Sequence, residues 1–452
     1  MMLFDACRAN ATASRLGRWL RWGRAACALA VLLPGIRSAA CADLYNLAPS
    51  TPARVLGPPY FGTHFHRLLP VSDRGERATP WPAGQIGALR LWDSSTRWSD
   101  LEPSREAFRF ERLDAYVAQA QAEGASLLMV PGSAPRWAVA RPDEPGPYGP
   151  GSASEPANLD DWDRYVAALV RRYKGRIESY ELRNEPYFSD LPADRNQPAA
   201  FFTGSVASMV ELARHARAVL DREDPRAILL TPGFVGGVQR LDMFLRAGGG
   251  CHVGGVAYHY YDDDDRGFID LHRDIRAVMD RHGLSRLPLY NSESGFASQG
   301  DGADAAALLA HSMVLGAFLG LDRFYQYAWD SGRSGMVLPL TLQPTPSAAA
   351  FAAVRRWLVG TTLLGCRLEP AGAMRCEGSR NGENLLIGCR AEGNSTVAMQ
   401  LPASAQWIAA EHAVDRNQPI NLGAAPGSSI AAGIDPVAVW WRPANRIEKA
   451  AP

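Results

Sequence analysis

Residues 177–188 read IESYELRNEPYF, an apolar, strand-like run that stops on Asn184-Glu185-Pro186. Glutamate is a poor strand former and is rarely buried without a partner, so an isolated Asn-Glu reads as a solvated loop. The rest of the chain changes that reading. Seven other short apolar runs have the same texture: YFGTHF from Tyr60, GALRLWD from Gly87, ASLLMVPG from Ala125, AILLTPGF from Ala227, VGGVAYHYY from Val253, LPLYNSESG from Leu287 and LDRFYQYAWD from Leu321. Helical patterns fill most of the gaps between them. Phe110, Leu113, Tyr116, Val117 and Ala120 share one face before Gly124. Asn158 stands as an N-cap, with Asp161 in the first turn, ahead of Trp162, Tyr165, Val166, Leu169 and Tyr173. Two further stripes are Leu271, Ile275, Val278 and Met279, ended by Gly283, and Phe351, Val354 and Leu358.

Strands alternating with helices call for a parallel sheet with crossovers, and eight such units over about 300 residues predict an α/β fold, a (β/α)8 TIM barrel. The first crossover, PVSDRGERATPWPAGQ from Pro70, is too rich in Pro and Gly for a regular helix. A doubly wound open sheet is the alternative, but no GxGxxG or GxxxxGK[ST] loop marks a nucleotide site. After Thr361 the texture changes. TLLGCRLE, MRCEGSR, NLLIGCRA, STVAMQL, QWIAAE and PVAVWWRP are short and turn-punctuated, which predicts a C-terminal antiparallel β-sandwich. The expected division is therefore a signal over 1–42, a barrel over 43–359, a sandwich over 360–443 and a frayed tail over 444–452.

The first 42 residues carry a basic stretch (Arg8, Arg15, Arg18, Arg21, Arg24), the apolar run AACALAVLLPGI and small residues ending Ala40-Cys41-Ala42. They read as a secretory signal cleaved before Asp43, placing the protein outside the cytoplasm, secreted or periplasmic. Lipid attachment at Cys41 is a less favoured alternative, because Ser38 stands where a larger apolar residue would be expected. No other run approaches membrane-spanning length. Without that segment, 41 basic and 46 acidic residues leave a net charge of −5. A mildly acidic chain lacks the electrostatic footprint of a nucleic-acid binder. Four cysteines remain, and Cys366–Cys376 is the favoured disulfide in an oxidising compartment. A monomer with no cofactor is expected.

In a barrel the C-terminal strand ends converge on one face, where active sites lie. That brings together His64 and His66, Arg90 and Asp93, Asn184 and Glu185, Tyr258 to Tyr261, Glu293, and Trp329 and Asp330. Glu293, in NSESG, repeats the opening puzzle at the seventh run. Two carboxylates facing one another across a barrel mouth suit glycoside hydrolysis, one as proton donor and the other attacking the anomeric carbon or activating water. Arg90 and a strand-6 Tyr or His would keep one carboxylate ionised, while the other, in a more apolar setting, held its proton. Metal binding by His64-x-His66 is not expected. The Asp262–Asp265 run reads as a solvated loop.

Asn-Glu after the fourth run and Glu after the seventh resemble the retaining glycoside hydrolases of clan A. YELRNEP, VAYHYY and the trailing β-region look most like glycoside hydrolase family 39, whose members include β-xylosidases, α-L-iduronidases and bacterial exopolysaccharide glycosidases. The resemblance implies Glu185 as acid/base, Glu293 as nucleophile and Asn184 as partner of the sugar 2-hydroxyl. Arg90, His259, Tyr261, His64 and the platform tryptophan Trp329 would complete a site for an oligo- or polysaccharide. NSESG departs from the family's usual Thr-Glu-Trp. Trp98 and Trp137 are candidates for further ring stacking.

Overall fold

A computed structural model describes residues 46–47, 54–69, 78–195, 197, 200–261, 265–295, 302–331, 335–368, 372–390, 396–400, 405–415, 420 and 429–443. The expected signal, the tail and Asp262–Asp264 lie outside these residues. After β1 (Asn46–Leu47) come eight parallel strands: β2 (Phe61–Thr63), β3 (Ala88–Leu91), β4 (Ser126–Met129), β5 (Ser179–Glu181), β6 (Ile228–Phe234), β7 (Gly255–Tyr261), β8 (Leu289–Gly295) and β9 (Arg323–Gln326). β2 pairs with both β3 and β9, which closes the barrel. Each of the eight apolar runs supplies one strand.

The described helices are α1 (Trp98–Leu101), α2 (Glu111–Ala122), α3 (Leu159–Arg172), α4 (Val206–Glu223), α5 (Gln239–Arg246), α6 (Asp265–Arg281), α7 (Ala303–Leu319) and α8 (Pro346–Leu358). Asn158 caps α3 by accepting from the Asp160 amide at 2.9 Å. The periodic stripes predict α2, α3, α6 and α8. α7 lacks a stripe because nearly every residue from Ala305 to Phe318 is buried, enclosed by α6, α8 and the C-terminal sheet; a helix covered on all sides has no polar face to mark it. Among the described residues no helix is long and apolar enough to cross a membrane.

Small residues make the barrel interior possible. Ala88, Leu128, Leu230, Ala257, Tyr290 and Tyr325 fill it as one apolar layer. A Cβ on Gly62 would lie 2.3 Å from the Tyr325 ring, so β2 must carry glycine there. The polar residues of the mouth stand on top of this layer.

The C-terminal strands are β10 (Thr362–Leu368), β11 (Ala373–Arg380), β12 (Glu383–Arg390), β13 (Val397–Gln400), β14 (Ala405–His412), β15 (Ser429–Ala432) and β16 (Val437–Pro443). Six strands form an antiparallel sheet in the order β1-β10-β11-β12-β16-β14. The second layer of the expected sandwich is, among the described residues, the two-stranded ribbon β13-β15. β1 belongs to this sheet by pairing with β10, although it falls within the segment expected to form the barrel. Strand alternation divides the sheet: Leu385, Ile387, Cys389 and Trp440 join the barrel's core, while Leu386, Val437 and Val439 pack under the ribbon. Cys366 and Cys376 are cross-strand partners and form a disulfide, as expected. The barrel is also tied to the sheet by Arg356 and Trp357, both donating to Glu411, and by His311, which is paired with Asp265 and hydrogen-bonded to the Ile434 carbonyl at 2.7 Å.

Candidate active site

Every second residue of a barrel strand points inward. Two positions beyond Gly62, Ala88, Ala257 and Tyr325, the inward residues are His64, Arg90, His259 and Tyr327, and β5 adds Glu181. Arg90 is fully buried at the centre. Its Nη2 and Nε donate to Glu181 at 2.5 and 3.2 Å, its Nη1 donates to Glu293 Oε2 at 2.7 Å, and Nη2 also donates to Asn184 Oδ1 at 2.7 Å. His64 and His259 each lie 3.5 Å from the guanidinium. A buried arginine needs carboxylates because an unpaired interior charge is costly; here it has two.

Simple alternation would point Glu293 away from the mouth, since Tyr290 is inward. A bulge corrects this: β7 and β8 pair Tyr258 with Asn291 but His259 with Glu293, so one residue of β8 is skipped. The extra residue re-aims the following side chain. Glu293 Oε1 then accepts from Tyr261 at 2.5 Å, and His64 Nε2 contacts the Ser292 carbonyl at 3.2 Å.

Glu185 is turned in by its backbone. It has φ of +36°, an uncommon conformation for a residue with a Cβ, and its amide donates to the Gly233 carbonyl at 3.0 Å. Gly233 is itself required. A Cβ there would sit 2.3 Å from His259 Nε2 and 2.7 Å from Glu181 Oε1. So placed, Glu185 accepts from His259 Nδ1 at 2.7 Å. Oxygens of Glu185 and Glu293 and a nitrogen of His259 all lie within 4.8 Å of one another.

Three charges in so small a space decide one another's protonation. Burial pushes the Glu185 carboxyl up, but the His259 hydrogen bond and charge, with Arg90 and Arg240, hold it below the ordinary range. Burial also pushes Glu293 up, and the Glu185 charge adds to this; His259 and Arg90 pull it down without prevailing. Burial alone would lower His259, yet Glu293 and Glu185 raise it above the ordinary imidazole range. The proton of the Glu185–His259 hydrogen bond therefore rests on His259 rather than on Glu185.

The sequence-derived candidates divide accordingly. Arg90, Asn184, Glu185, His259, Tyr261, Glu293 and His64 meet at one point. Trp329 does not join them: it is 3 % exposed, stacked on Phe65 and edge-on to Phe351. Trp98 is buried beneath Tyr165, and the indole of Trp137 donates to the Glu102 carbonyl. Asp330 is a buried tether, accepting from the amides of His66 and Arg67. Sequence reasoning missed Glu181, Tyr148 and Tyr327. Glu181 had a signal, because Arg90 at a strand end required a buried partner. Tyr327 was legible only by parity with Tyr325. Its hydroxyl donates to Asp93 at 2.7 Å and meets His66 at 3.0 Å, while Tyr148 donates to the same Asp93.

Glu185, His259 and Glu293 are, among the described residues, the one cluster with metal-ligand spacing. Its donors are already engaged, however. Both Glu293 oxygens accept from Arg90 and Tyr261, and His259 Nδ1 is bonded to Glu185, so a resident guanidinium supplies the positive charge.

No family model matches the sequence, and no curated protein matches it. Solved structures share the fold. A glucosidase from Croceicoccus marinus has 15 % sequence identity and a TM-score of 0.63, with 88 % of this chain and 98 % of that chain covered. A glycoside hydrolase family 30 subfamily 8 xylanase from Clostridium acetobutylicum has 12 % identity and a TM-score of 0.60, covering 87 % and 97 %. A family 44 xyloglucanase from Paenibacillus polymyxa has 11 % identity and a TM-score of 0.56, covering 86 % and 97 %. At these identities the likeness is one of fold alone, an eight-stranded barrel with a C-terminal β-region.

Arg90→Ala strands the buried Glu181 and Glu293 carboxylates. It should cost about 3–5 kcal/mol in denaturant unfolding. A loss under about 1 kcal/mol, the range of an exposed pair, would show that the guanidinium does not hold the site together.

Proposed function

We propose that this protein is a retaining glycoside hydrolase of clan A, near family 39, acting outside the cytoplasm on an oligo- or polysaccharide. The observation that carries the proposal is the approach of Glu185 and Glu293 to within 4.8 Å. Retaining glycosidases hold their carboxyl groups about 5–5.5 Å apart, whereas inverting ones leave about 6.5–9.5 Å for a water molecule.

Glu293 is the nucleophile. Both its oxygens accept from donors, Arg90 and Tyr261, that favour the carboxylate over the acid. It attacks the anomeric carbon and forms a glycosyl ester. Glu185 is the acid/base, sharing a proton with His259. As the glycosidic bond breaks, the proton passes from His259 Nδ1 along their 2.7 Å bond through Glu185 to the departing oxygen, leaving a neutral imidazole and a Glu185 carboxylate. Water then attacks the ester, and the proton returns by the same route. Asn184 has its Oδ1 turned to Arg90, which leaves its amide N–H groups for the sugar 2-hydroxyl.

The protonation pattern fixes the pH dependence. Glu293 must be ionised, and its raised pKa means activity is lost on acidification above the ordinary carboxylate range. The Glu185–His259 pair must hold a proton, and the raised His259 pKa means activity is lost on alkalinisation above the ordinary imidazole range. A bell-shaped kcat/KM profile with both limbs displaced upward is expected; an acidic limb at the pKa of a free carboxyl would contradict it.

Substitution separates the two glutamates. Glu293→Ala should abolish turnover on every glycoside, because no ester forms. Glu185→Ala should still form the ester from a nitrophenyl glycoside and then stall, with azide restoring turnover as a glycosyl azide of retained configuration. Azide rescue of Glu293→Ala with retained product, and of Glu185→Ala with inverted product, would exchange the roles. Equal, modest losses from both would end the proposal.

A further inference from the structure

We propose that the outer face of the C-terminal sheet carries a second sugar site, centred on Trp441, that holds an uncharged stretch of polysaccharide while the barrel acts on it. The inference rests on the glycosidase reading. The inner face of the sheet is committed to the barrel, and part of the outer face is covered by the β13-β15 ribbon through Met399, Ile430 and Ala432. Further along that outer face a hollow of about 120 Å³ opens, lined by Trp441, Leu364, Asn384, Glu377 and Arg375.

The chemistry of the hollow matches a sugar ring. Trp441 and Asn384 are direct cross-strand partners, so an indole and an amide stand side by side on one face. Trp407, the partner of Trp441 on its other side, extends the aromatic surface. No hydrogen bond to another described residue engages the Asn384 side chain, so it can donate to and accept from hydroxyls. Leu364, at the bulge of β10, is 49 % exposed and forms an apolar rim. An indole face covers the C–H face of a pyranose, while hydroxyls at the ring edge need groups such as the amide.

The charges point to an uncharged ligand. Arg375 Nε donates to Glu377 Oε1 at 3.3 Å, and Arg367 lies 3.8 Å from the same oxygen. An anionic sugar would meet Glu377 and a cationic one the two arginines, each already paired. The hollow is also far smaller than the roughly 300–1,000 Å³ that engulfs a drug-sized ligand. It seats one ring of a longer chain.

The test uses the full chain bearing Glu293→Gln, so that polymer is not consumed, in native gels containing xylan, xyloglucan or β-glucan. At least one polymer should retard the protein, and Trp441→Ala in the same background should weaken that binding about tenfold. Asn384→Ala should weaken it as well, and it serves as the readout if Trp441→Ala fails to fold. With Glu293 intact, both substitutions should leave kcat/KM on an aryl glycoside unchanged. Retardation that neither substitution alters, or no retardation in any of the three polymers, overturns the inference. Hydrolysis without such binding sinks this site alone. Binding through Trp441 by a chain that turns over no glycoside would instead sink the catalytic reading.

Discussion

The mouth of this barrel is organised by one buried cation. The Arg90 guanidinium has no contact with solvent and cannot shed its proton, so it is tolerated only where carboxylates surround it. Glu181 supplies a fork-like partner from beneath and Glu293 a second from across the mouth. The other features follow as conditions for that arrangement. Gly62 and Ala88 leave room for the tyrosine layer that supports it, Gly233 admits His259 and Glu181, and the β8 bulge turns Glu293 toward it.

Arg90, paired with both Glu181 and Glu293, sets the field in which Glu185, His259 and Glu293 settle their protons. Burial raises both carboxyls, and the imidazolium between them compensates mainly the one it touches. Such an arrangement is unstable to small changes of charge. In the proposed double displacement, esterifying Glu293 removes a negative charge beside His259, which weakens the imidazolium's hold on its proton and frees that proton to move through Glu185. The same compactness that sets the carboxylate separation is what couples the two halves of the proposed double displacement.

Much of this was legible in the sequence. Eight apolar runs became eight barrel strands, and the strand-end rule gathered seven of eight candidate side chains. What was illegible has physical causes. Period-2 reasoning fails at a bulge, and Glu293 was placed correctly by its position at a strand end rather than by parity. α7 was hidden by uniform burial. β1 joined a sheet more than 300 residues away in sequence, which no local pattern encodes. Trp329 was read as an open platform because tryptophan after a strand suits that task, yet Phe65 and Phe351 cover it. Glu181 was passed over although the demand of Arg90 for a partner was plain.

The central claim is that Arg90 and Tyr261 make Glu293 the group that bonds to sugar. It is tested most directly by incubating the protein with the 2-deoxy-2-fluoro analogue of an aryl glycoside it cleaves, followed by peptide mass mapping. A single fluoroglycosyl group on the peptide containing Glu293 is the predicted result. The label on the Glu185 peptide, or turnover with inverted product and no label, would contradict the account.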